Sequence, residues 1–272
     1  MTAGDPASER PDRLGATARG PDGLVTGNDG PPSLDIAAGT DVGKKREINQ
    51  DAALGFRDAR NRFATLVVCD GLGGLESGEV AAEITIERIR AALESCEDQP
   101  GRCLERGILA AHHAVRDVAG ERRMGTTVVA VVLGPGGFEV MHVGDSRAYL
   151  LRDGTLRPLT VDHSWVMEQV AAGRMSPEQA ERDPRRNIVT RALGTDVELN
   201  LQLRAPEPLQ PGDTFLVCSD GLSGVLPAKE IALILGGPFD AEMAVKALIM
   251  RANQLGGPDN IGVAVARVGG GA

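Results

Sequence analysis

Short connections between successive apolar segments are the feature that most restricts the fold of this chain. The segments Thr126–Leu133, Phe138–Val143 and Ala148–Arg152 are apolar runs of strand length. The turns between them, such as Gly134–Gly137, are too short for the helical crossover that parallel strands require. We therefore expect antiparallel sheets and exclude the alternating strand and helix order of a doubly wound fold.

The remaining apolar patterns predict an α+β protein. Further strands are predicted at Leu34–Thr40, Asp51–Phe56, Phe63–Cys69, Glu198–Leu203, Thr214–Cys218 and Asn260–Val268. Apolar positions three and four residues apart predict helices across Ala82–Cys96, Leu104–Val118, Ala228–Leu235 and Ala241–Leu255. We expect two antiparallel sheets with helices on their outer faces. A polar helical insert is expected at about 163–187, where Ser176, Pro177 and Gln179 form a capping box with proline at the first helical position.

Composition limits the partners and the domain organisation. The 272 residues are 42% hydrophobic and 25% charged, as in soluble globular proteins. The net charge of -9 argues against sequence-independent binding of nucleic acid, which needs a basic surface. We expect no membrane span, because no apolar run is long enough, and no secretory signal, because the N-terminus has no basic region followed by an apolar stretch. Residues 1–33 are rich in proline and glycine and predict a disordered tail, 34–268 one domain, and 269–272 a frayed end.

The cysteines point to a reducing environment. Cys69, Cys96, Cys103 and Cys218 show no CxxC pair and no cluster with histidine, so a zinc site is not expected. We interpret all four as reduced, buried thiols of a cytoplasmic protein.

Aspartates follow or precede apolar strands at several places. Asp70 and Asp220 each end a long apolar run and are followed by glycine, and Asp145 ends a similar segment. Asp259 stands just before the last predicted strand. If these strands are neighbours, the carboxylates gather at one edge, where unpaired anions are costly. Oxygen ligands without cysteine or histidine favour Mg²⁺ or Mn²⁺.

With these residues, the chain resembles the metal-dependent serine/threonine protein phosphatases, the PPM or type 2C family, in their bacterial form. The resemblance covers about 34–268, and its motifs occur in the order of the family. They are Thr40-Asp41-x-Gly43-x-x-Arg46-x-x-Asn49-Gln50-Asp51, Asp70-Gly71-x-Gly73-Gly74, Gly125-Thr126-Thr127, Val143-Gly144-Asp145-Ser146-Arg147, Ser219-Asp220-Gly221 and Asp259-Asn260. The family implies a four-layer α-β-β-α sandwich with a metal centre at one edge of the sheets.

The resemblance also implies roles in binding two Mn²⁺ or Mg²⁺ ions. Asp70 would bridge both ions, and Gly71 would offer its backbone carbonyl to one of them. Asp220 and Asp259 would bind the other ion. Asp51 would act on the metal shell directly or through water.

Further roles concern the substrate and a third ion. Asp145 with Asp220 would hold a third, weaker metal, and Arg46 would grip the phosphate, for which its planar fork is suited. The insert at about 163–187 would be the flap beside the active site. Two residues depart from common patterns of the family: Leu72 replaces a histidine that is a candidate general acid, and Gln50 replaces a glutamate.

The function implied is hydrolysis of phosphoserine and phosphothreonine by a hydroxide that two metal ions activate. The expected protein is a monomeric, cytoplasmic signalling enzyme of a bacterium, and its partner is a phosphoprotein, either a Ser/Thr kinase or a kinase target. The alternatives are a phosphatase of anti-sigma-type regulators and an inactive phosphoprotein-binding module of the same fold. A two-metal nuclease is disfavoured by the acidic charge balance.

Overall fold

Strands in two antiparallel sheets form the middle of the protein. The computed structural model describes residues 33–72, 77–120, 123–195, 199, 201 and 206–269. The strands in these residues are β1 (Leu34–Asp41), β2 (Asp51–Arg57), β3 (Ala64–Asp70), β4 (Val128–Gly134), β5 (Gly137–Val143), β6 (Arg147–Arg152), β7 (Thr155–Pro158), β8 (Thr214–Cys218) and β9 (Ile261–Val268).

Strands from distant parts of the chain are neighbours in the larger sheet. Its order is β1-β9-β8-β6-β7, so the last strand lies between the first strand and β8. The smaller sheet has the order β2-β3-β4-β5, in which Asp51 pairs with Asp70. All the pairings are antiparallel, which confirms the expectation from the short turns.

Helices cover both sheets. They are α1 (Gly78–Glu94), α2 (Pro100–Ala119), α3 (Trp165–Ala171), α4 (Pro177–Arg182), α5 (Asp220–Ser223), α6 (Ala228–Leu235) and α7 (Ala241–Gln254). Local sequence explains several starts: the capping box of Ser176 and Gln179 is present at α4, and Asp240 caps α7 by accepting from the Met243 N–H. None of the helices in the described part of the chain is long and apolar enough to cross a membrane.

Alternating side chains of the strands divide the interior into three apolar layers. In β3, Leu66 and Val68 pack between the sheets, while Val67 and Cys69 pack under α1 and α2. A third layer lies between the larger sheet and α5–α7. The continuous apolar run of β3 is therefore buried on both faces, as predicted. The order of layers is α-β-β-α, which confirms the α+β sandwich predicted from the sequence.

Some elements differ from the sequence prediction or lie outside the described residues. β7 was not predicted, because it is short, mostly polar and ends at Pro158 on the edge of its sheet. Within the strand predicted at Glu198–Leu203, only Leu199 and Leu201 are described, and neither is in a strand. The predicted tail lies outside the described residues except for Ser33, as does the end of the chain after Gly269.

The interpretation of the cysteines as four reduced thiols is wrong for one pair. Cys96 and Cys103 form a disulfide between the end of α1 and the first turn of α2, whereas Cys69 and Cys218 are free and buried. The antiparallel packing of α1 and α2 brings the two sulfur atoms together, and the spacing of the cysteines did not reveal this. Only Cys69 and Cys218 therefore remain as reduced thiols of the kind expected in a reducing compartment.

Candidate metal centre

The strand register brings the acidic residues to one edge of the sandwich. Asp51 begins β2 and pairs with Asp70, which ends β3. In the other sheet, the end of β8 pairs near the start of β9 and with the start of β6. Asp220 follows β8, Asp259 precedes β9 and Asp145 precedes β6, so each of them projects from the same edge. Residues separated by up to about 200 positions thus share one site.

The electrostatic effect of this gathering is a raised pKa at several carboxyls. The pKa of Asp51 is raised to about 7, first by burial and then by the nearby Asp220 and Asp259 charges. Burial raises the pKa of Asp145 to about 7 as well, with Asp220 again contributing. The pKa of Asp70 and that of Asp220 are also raised, first by burial and then by neighbouring carboxylates. The site therefore holds more negative charge than the protein itself neutralises.

Asp51 has a buried carboxylate oxygen that no group of the described residues hydrogen-bonds. Its Oδ2 atom accepts from the Ser219 hydroxyl at 2.7 Å, and the Ser219 oxygen in turn accepts from the Gly262 N–H at 2.9 Å. Its Oδ1 atom is buried and has no hydrogen-bond partner. Among the described residues, no lysine or arginine forms a salt bridge with Asp51, Asp70, Asp145 or Asp220. Carboxylates buried in this way fit a hard divalent cation.

The carboxylates gather without forming a finished ligand set. In the described residues, no group of three or more histidine, cysteine, aspartate and glutamate side chains is arranged so that it could hold a metal ion. Asp259 in particular is engaged by Arg46, whose Nη2 donates to Oδ2 at 2.8 Å. The two side chains are exposed to 45% and 36%, so the pair lies at the mouth of the site. Arg46, predicted to grip phosphate, thus contacts a predicted metal ligand.

The main chain of Asp70 is held by the threonine pair of the Gly125-Thr126-Thr127 motif. The Asp70 N–H donates to Thr127 Oγ1 at 3.0 Å, and the Asp70 carbonyl accepts from the Thr127 N–H at 2.8 Å and from Thr126 Oγ1 at 2.9 Å. Thr127 Oγ1 is also 2.7 Å from Ser146 Oγ, beside Asp145. One motif therefore positions two of the acidic residues.

Asn260 connects the loop between β1 and β2 to the start of β9. Its Oδ1 accepts from the Gln50 N–H at 2.9 Å, and its Nδ2 donates to the carbonyls of Val42 and Ile48, each at 2.9 Å. Gly221 packs so closely on the Asn260 carbonyl that a Cβ atom there would collide with it. This glycine is therefore required where the segments holding Asp220 and Asp259 meet.

Gly71 lies in an equally tight place. Its N–H donates to the Gln50 carbonyl at 3.0 Å, and a Cβ atom on it would collide with the main chain of Gly78 at the start of α1. Gln50, in place of a glutamate, donates from Nε2 to Glu79 at 3.1 Å. Leu72 follows with its N–H bonded to the Gly125 carbonyl. The motif glycines Gly73 and Gly74 lie outside the described residues.

A cleft of about 670 Å³ opens beside the carboxylates. Asp145, Asp220 and Asp259 line one side, and the helical insert provides residues such as Met167 and Arg186 on the other. The base of the insert is fixed by Arg147, which donates from Nε and Nη2 to Asp162 at 2.9 and 2.7 Å. Arg147 therefore forms a structural ion pair that holds the start of the insert.

Sequence reasoning missed the supporting polar residues. Ser219, Thr127 and Asn260 belong to the sequence motifs, but the sequence alone assigns them no role. The available signal was a small hydroxyl or amide side chain next to an aspartate at a strand end, where buried polar atoms need partners.

Comparison with known proteins agrees with this architecture. The sequence profile described as Protein phosphatase 2C matches residues 38–255. The serine/threonine phosphatase stp of Listeria welshimeri is 34% identical over 236 residues, which cover 82% of this chain and 92% of that protein. The serine/threonine protein phosphatase PstP of Mycobacterium tuberculosis is 38% identical over 247 residues, 86% of this chain but only 45% of that protein.

Solved structures show the same similarity. The S. agalactiae serine/threonine phosphatase superposes with a TM-score of 0.79 at 30% identity, and the match covers 87% of this chain and 100% of that one. The catalytic domain of PstP, solved in complex with 2 manganese ions, has a TM-score of 0.73 at 34% identity and matches 87% of this chain and 99% of that one. The family profile covers most of the chain, and relatives more than 30% identical match over four fifths of it, so this chain belongs to the protein phosphatase 2C family.

Proposed function

We propose that this chain is a metal-dependent serine/threonine protein phosphatase. Its family and the names of its relatives support this activity. The observation that carries the proposal is the cluster of buried and half-buried aspartates at one edge of the sheets, with raised pKa values at Asp51 and Asp70 and an unpartnered Asp51 oxygen. Such a cluster is costly unless it binds cations, and a hard divalent pair suits its oxygen-only donors.

Asp70, the carbonyl of Gly71, Asp220 and Asp259 would hold two ions, with Asp51 acting directly or through water. When bound, two Mn²⁺ or Mg²⁺ ions supply a nucleophilic hydroxide near neutral pH and offset the charge of the phosphate. A relative solved with two manganese ions supports this number. Asp145 with Asp220 would hold a third, weaker ion.

Arg46 would bind the phosphate group. Its guanidinium contacts Asp259, which lines the cleft, and this contact, with smaller contributions from the Asp220 and Asp70 charges, raises the pKa of Arg46, so it stays charged. Turning from Asp259 to the phosphate would both release a metal ligand and present two parallel donors to the substrate. We assign Arg46 and Asp70 as the catalytic residues on this basis.

The substrates would be phosphoserine and phosphothreonine proteins, either a bacterial Ser/Thr kinase or its targets. The cleft of about 670 Å³, bordered by the insert, would receive the phosphorylated side chain. An inactive binding module of the same fold would be expected to lack a metal-binding aspartate, but Asp70, Asp220 and Asp259 are all present. No feature of the cleft favours an anti-sigma-type regulator as the substrate.

The direct test is hydrolysis of a phosphothreonine peptide. We expect release of phosphate with Mn²⁺, loss of release with EDTA, and loss with Asp70→Asn, because the neutral side chain no longer balances the ions. Asp153→Asn is the matched control, since it makes the same change in the turn between β6 and β7, where Asp153 has a positive φ that asparagine tolerates. Turnover that survives EDTA or Asp70→Asn would overturn the metal mechanism.

A further inference from the structure

Two histidines form a stacked pair beside the cleft, and the proposed chemistry uses neither of them. The rings of His142 and His163 lie 4.5 Å apart between centroids and are inclined by 11°. His142 belongs to β5, and His163 begins the helical insert. The pair therefore stands where the insert joins the sheets.

Hydrogen bonds fix which nitrogen of each ring carries the proton. His142 Nε2 lies 2.8 Å from the Val161 carbonyl, which can only accept, so Nε2 is the donor. His163 Nδ1 accepts from the Gly144 N–H at 3.2 Å, so this ring is neutral with its proton on Nε2. Burial, His142 and Arg191 lower the pKa of His163 to about 4, and the nearby Asp162 and Glu168 only partly offset this effect. The neutral form is therefore kept at ordinary pH.

His163 forms two hydrogen bonds with Gly144. Besides the ring contact, the His163 N–H donates to the Gly144 carbonyl at 2.9 Å. Gly144 has a φ of 109°, and a Cβ atom on it would come within 2.6 Å of a Thr127 methyl carbon. The residue after Gly144 is Asp145, so the turn that aims this carboxylate is clamped between His163 and Thr127.

The same histidine also binds the far end of the insert. The His163 carbonyl accepts from the Thr190 N–H at 2.9 Å, and the Trp165 N–H donates to the Ile188 carbonyl at 2.9 Å. The start and the end of the insert therefore lie side by side, and both are tied to the Gly144 turn through one residue. A change in the contact between His163 and Gly144 therefore affects both the insert, which lines the cleft, and the position of Asp145.

We propose that His163, as a neutral hydrogen-bond acceptor, is a positioning residue that couples the insert to the Gly144-Asp145 turn. It acts through the main chain of Gly144 and does not touch the substrate. This inference rests on the proposed phosphatase activity for its catalytic consequence, but the clamp itself is made only of residues of this chain.

The first test uses the metal-free protein and nuclear magnetic resonance. In the wild type we expect the imidazole nitrogen shifts of His163 to show the Nε2–H form and the Gly144 amide to be protected from hydrogen exchange. His163→Ala should speed this exchange about tenfold, the usual effect of losing one hydrogen bond. His163→Asn should keep most of the protection, because its Oδ1 can occupy the place of Nδ1. An Nδ1–H form of His163 in the wild type, or unchanged Gly144 exchange in His163→Ala, would overturn the proposal.

The second test measures phosphopeptide hydrolysis with Mn²⁺. We expect His163→Ala to lower kcat about tenfold with KM within about twofold, and His163→Asn to restore most of kcat. His142→Gln is the control, because its amide can still donate to Val161 and it has no bond to Gly144. Equal loss in the alanine and asparagine variants would contradict the acceptor role. If the wild type is inactive, the proposed function fails, while the exchange experiment still decides the role of His163.

Discussion

The two ends of strands β2 and β8 carry the same residue type in opposite electrostatic settings. Asp51 begins β2 and Asp58 follows its end, while Asp213 precedes β8 and Asp220 follows it. Asp51 and Asp58 expose only 7% and 6% of their surface. Asp51 lies deep among other carboxylates, whereas Asp58 is covered by its own loop and by Arg62. Low exposure alone therefore does not separate a structural aspartate from a functional one.

We call the ends of β2 and β8 that lie away from the metal centre, marked by Asp58 and Asp213, the distal ends. At these ends the carboxylates form ion pairs with arginines. Asp58 accepts from Nε and Nη2 of Arg62, each at 2.9 Å, and these bonds, with those from main-chain N–H groups, lower the pKa of Asp58 to about 2. Asp213 accepts from Nε and Nη2 of Arg152 at 2.7 and 2.6 Å. These charges are satisfied within the chain and stabilise the fold.

At the site ends, no such partner is provided to Asp51 and Asp220 in the described residues, and the pKa of each is raised. The fold thus maintains a set of acidic groups that, under the proposed function, metal ions would neutralise. A carboxylate held without a cation is a cost to stability that a binding function explains. The lack of an arginine partner and the raised pKa therefore distinguish the site aspartates better than burial does.

The largest expected effect is at the site end of β8. Asp220→Asn should lower phosphopeptide turnover by at least about 10³-fold, because a metal ligand supplies several kcal/mol of charge stabilisation. The melting temperature of the metal-free protein should not fall, since the change removes a repelled charge. Steady-state kinetics and calorimetry of the same samples measure both. A strongly destabilised variant with normal turnover would reverse our assignment of the two ends.

The opposite pattern is expected at the distal end of β8. Asp213→Ala should lower the free energy of unfolding by about 3 kcal/mol, because Arg152 and the Gln210 N–H lose their acceptor. Urea titration measures this change. The value of kcat per folded molecule should remain that of the wild type, and a fall in kcat comparable with that of the Asp220 variant would refute the division into two ends.

The disulfide adds to the stability of the distal end. Arg62, which binds Asp58, also donates from Nη2 to the Cys96 carbonyl at 2.8 Å, so the disulfide and this ion pair adjoin. Replacing Cys96 and Cys103 together by serine should lower the free energy of unfolding by about 2 kcal/mol, the value expected for a short closed loop. Turnover should be unchanged. The matching control replaces Cys69 by alanine, which opens no loop.

The smallest expected effect is the pH dependence of the metal-free protein. A carboxyl with a pKa of about 7 when folded, such as Asp51 or Asp145, and about 3.9 when unfolded takes up a proton on folding. Its contribution to stability is therefore fully present below about pH 4 and is lost as the pH rises through 7. The melting temperature should fall by several degrees between pH 5.5 and 8 in EDTA.

Two controls complete the pH experiment. Asp58, whose pKa is about 2, stays ionised over this range and contributes no slope. Asp51→Asn should flatten the plot of melting temperature against pH. Asp213→Ala should lower the melting temperature at every pH without changing the slope of this plot. A melting temperature that rises between pH 5.5 and 8 would show that folding does not raise the pKa of the site carboxyls.

Local patterns were sufficient to predict most of the elements, with β7 as an exception. Strands such as β3, with an apolar run buried on both faces, and the capping box at Ser176 follow from the spacing of neighbouring residues. Burial period and capping depend on residues within a few positions of one another, so they can be predicted from sequence. The motif aspartates were identified by the same means, through their place at strand ends and their family resemblance.

The sequence by itself therefore determined the α+β layering, the order of the motifs and the residue types available at the site. Only the tertiary structure decided which charges meet. It pairs Asp51 with Asp70, gives Arg46 to Asp259, closes the disulfide of Cys96 and Cys103, and places the Gly144 N–H on His163. The physical reason is that a partner is chosen by distance after the strands have aligned, and residues far apart in sequence carry no local signal of that contact.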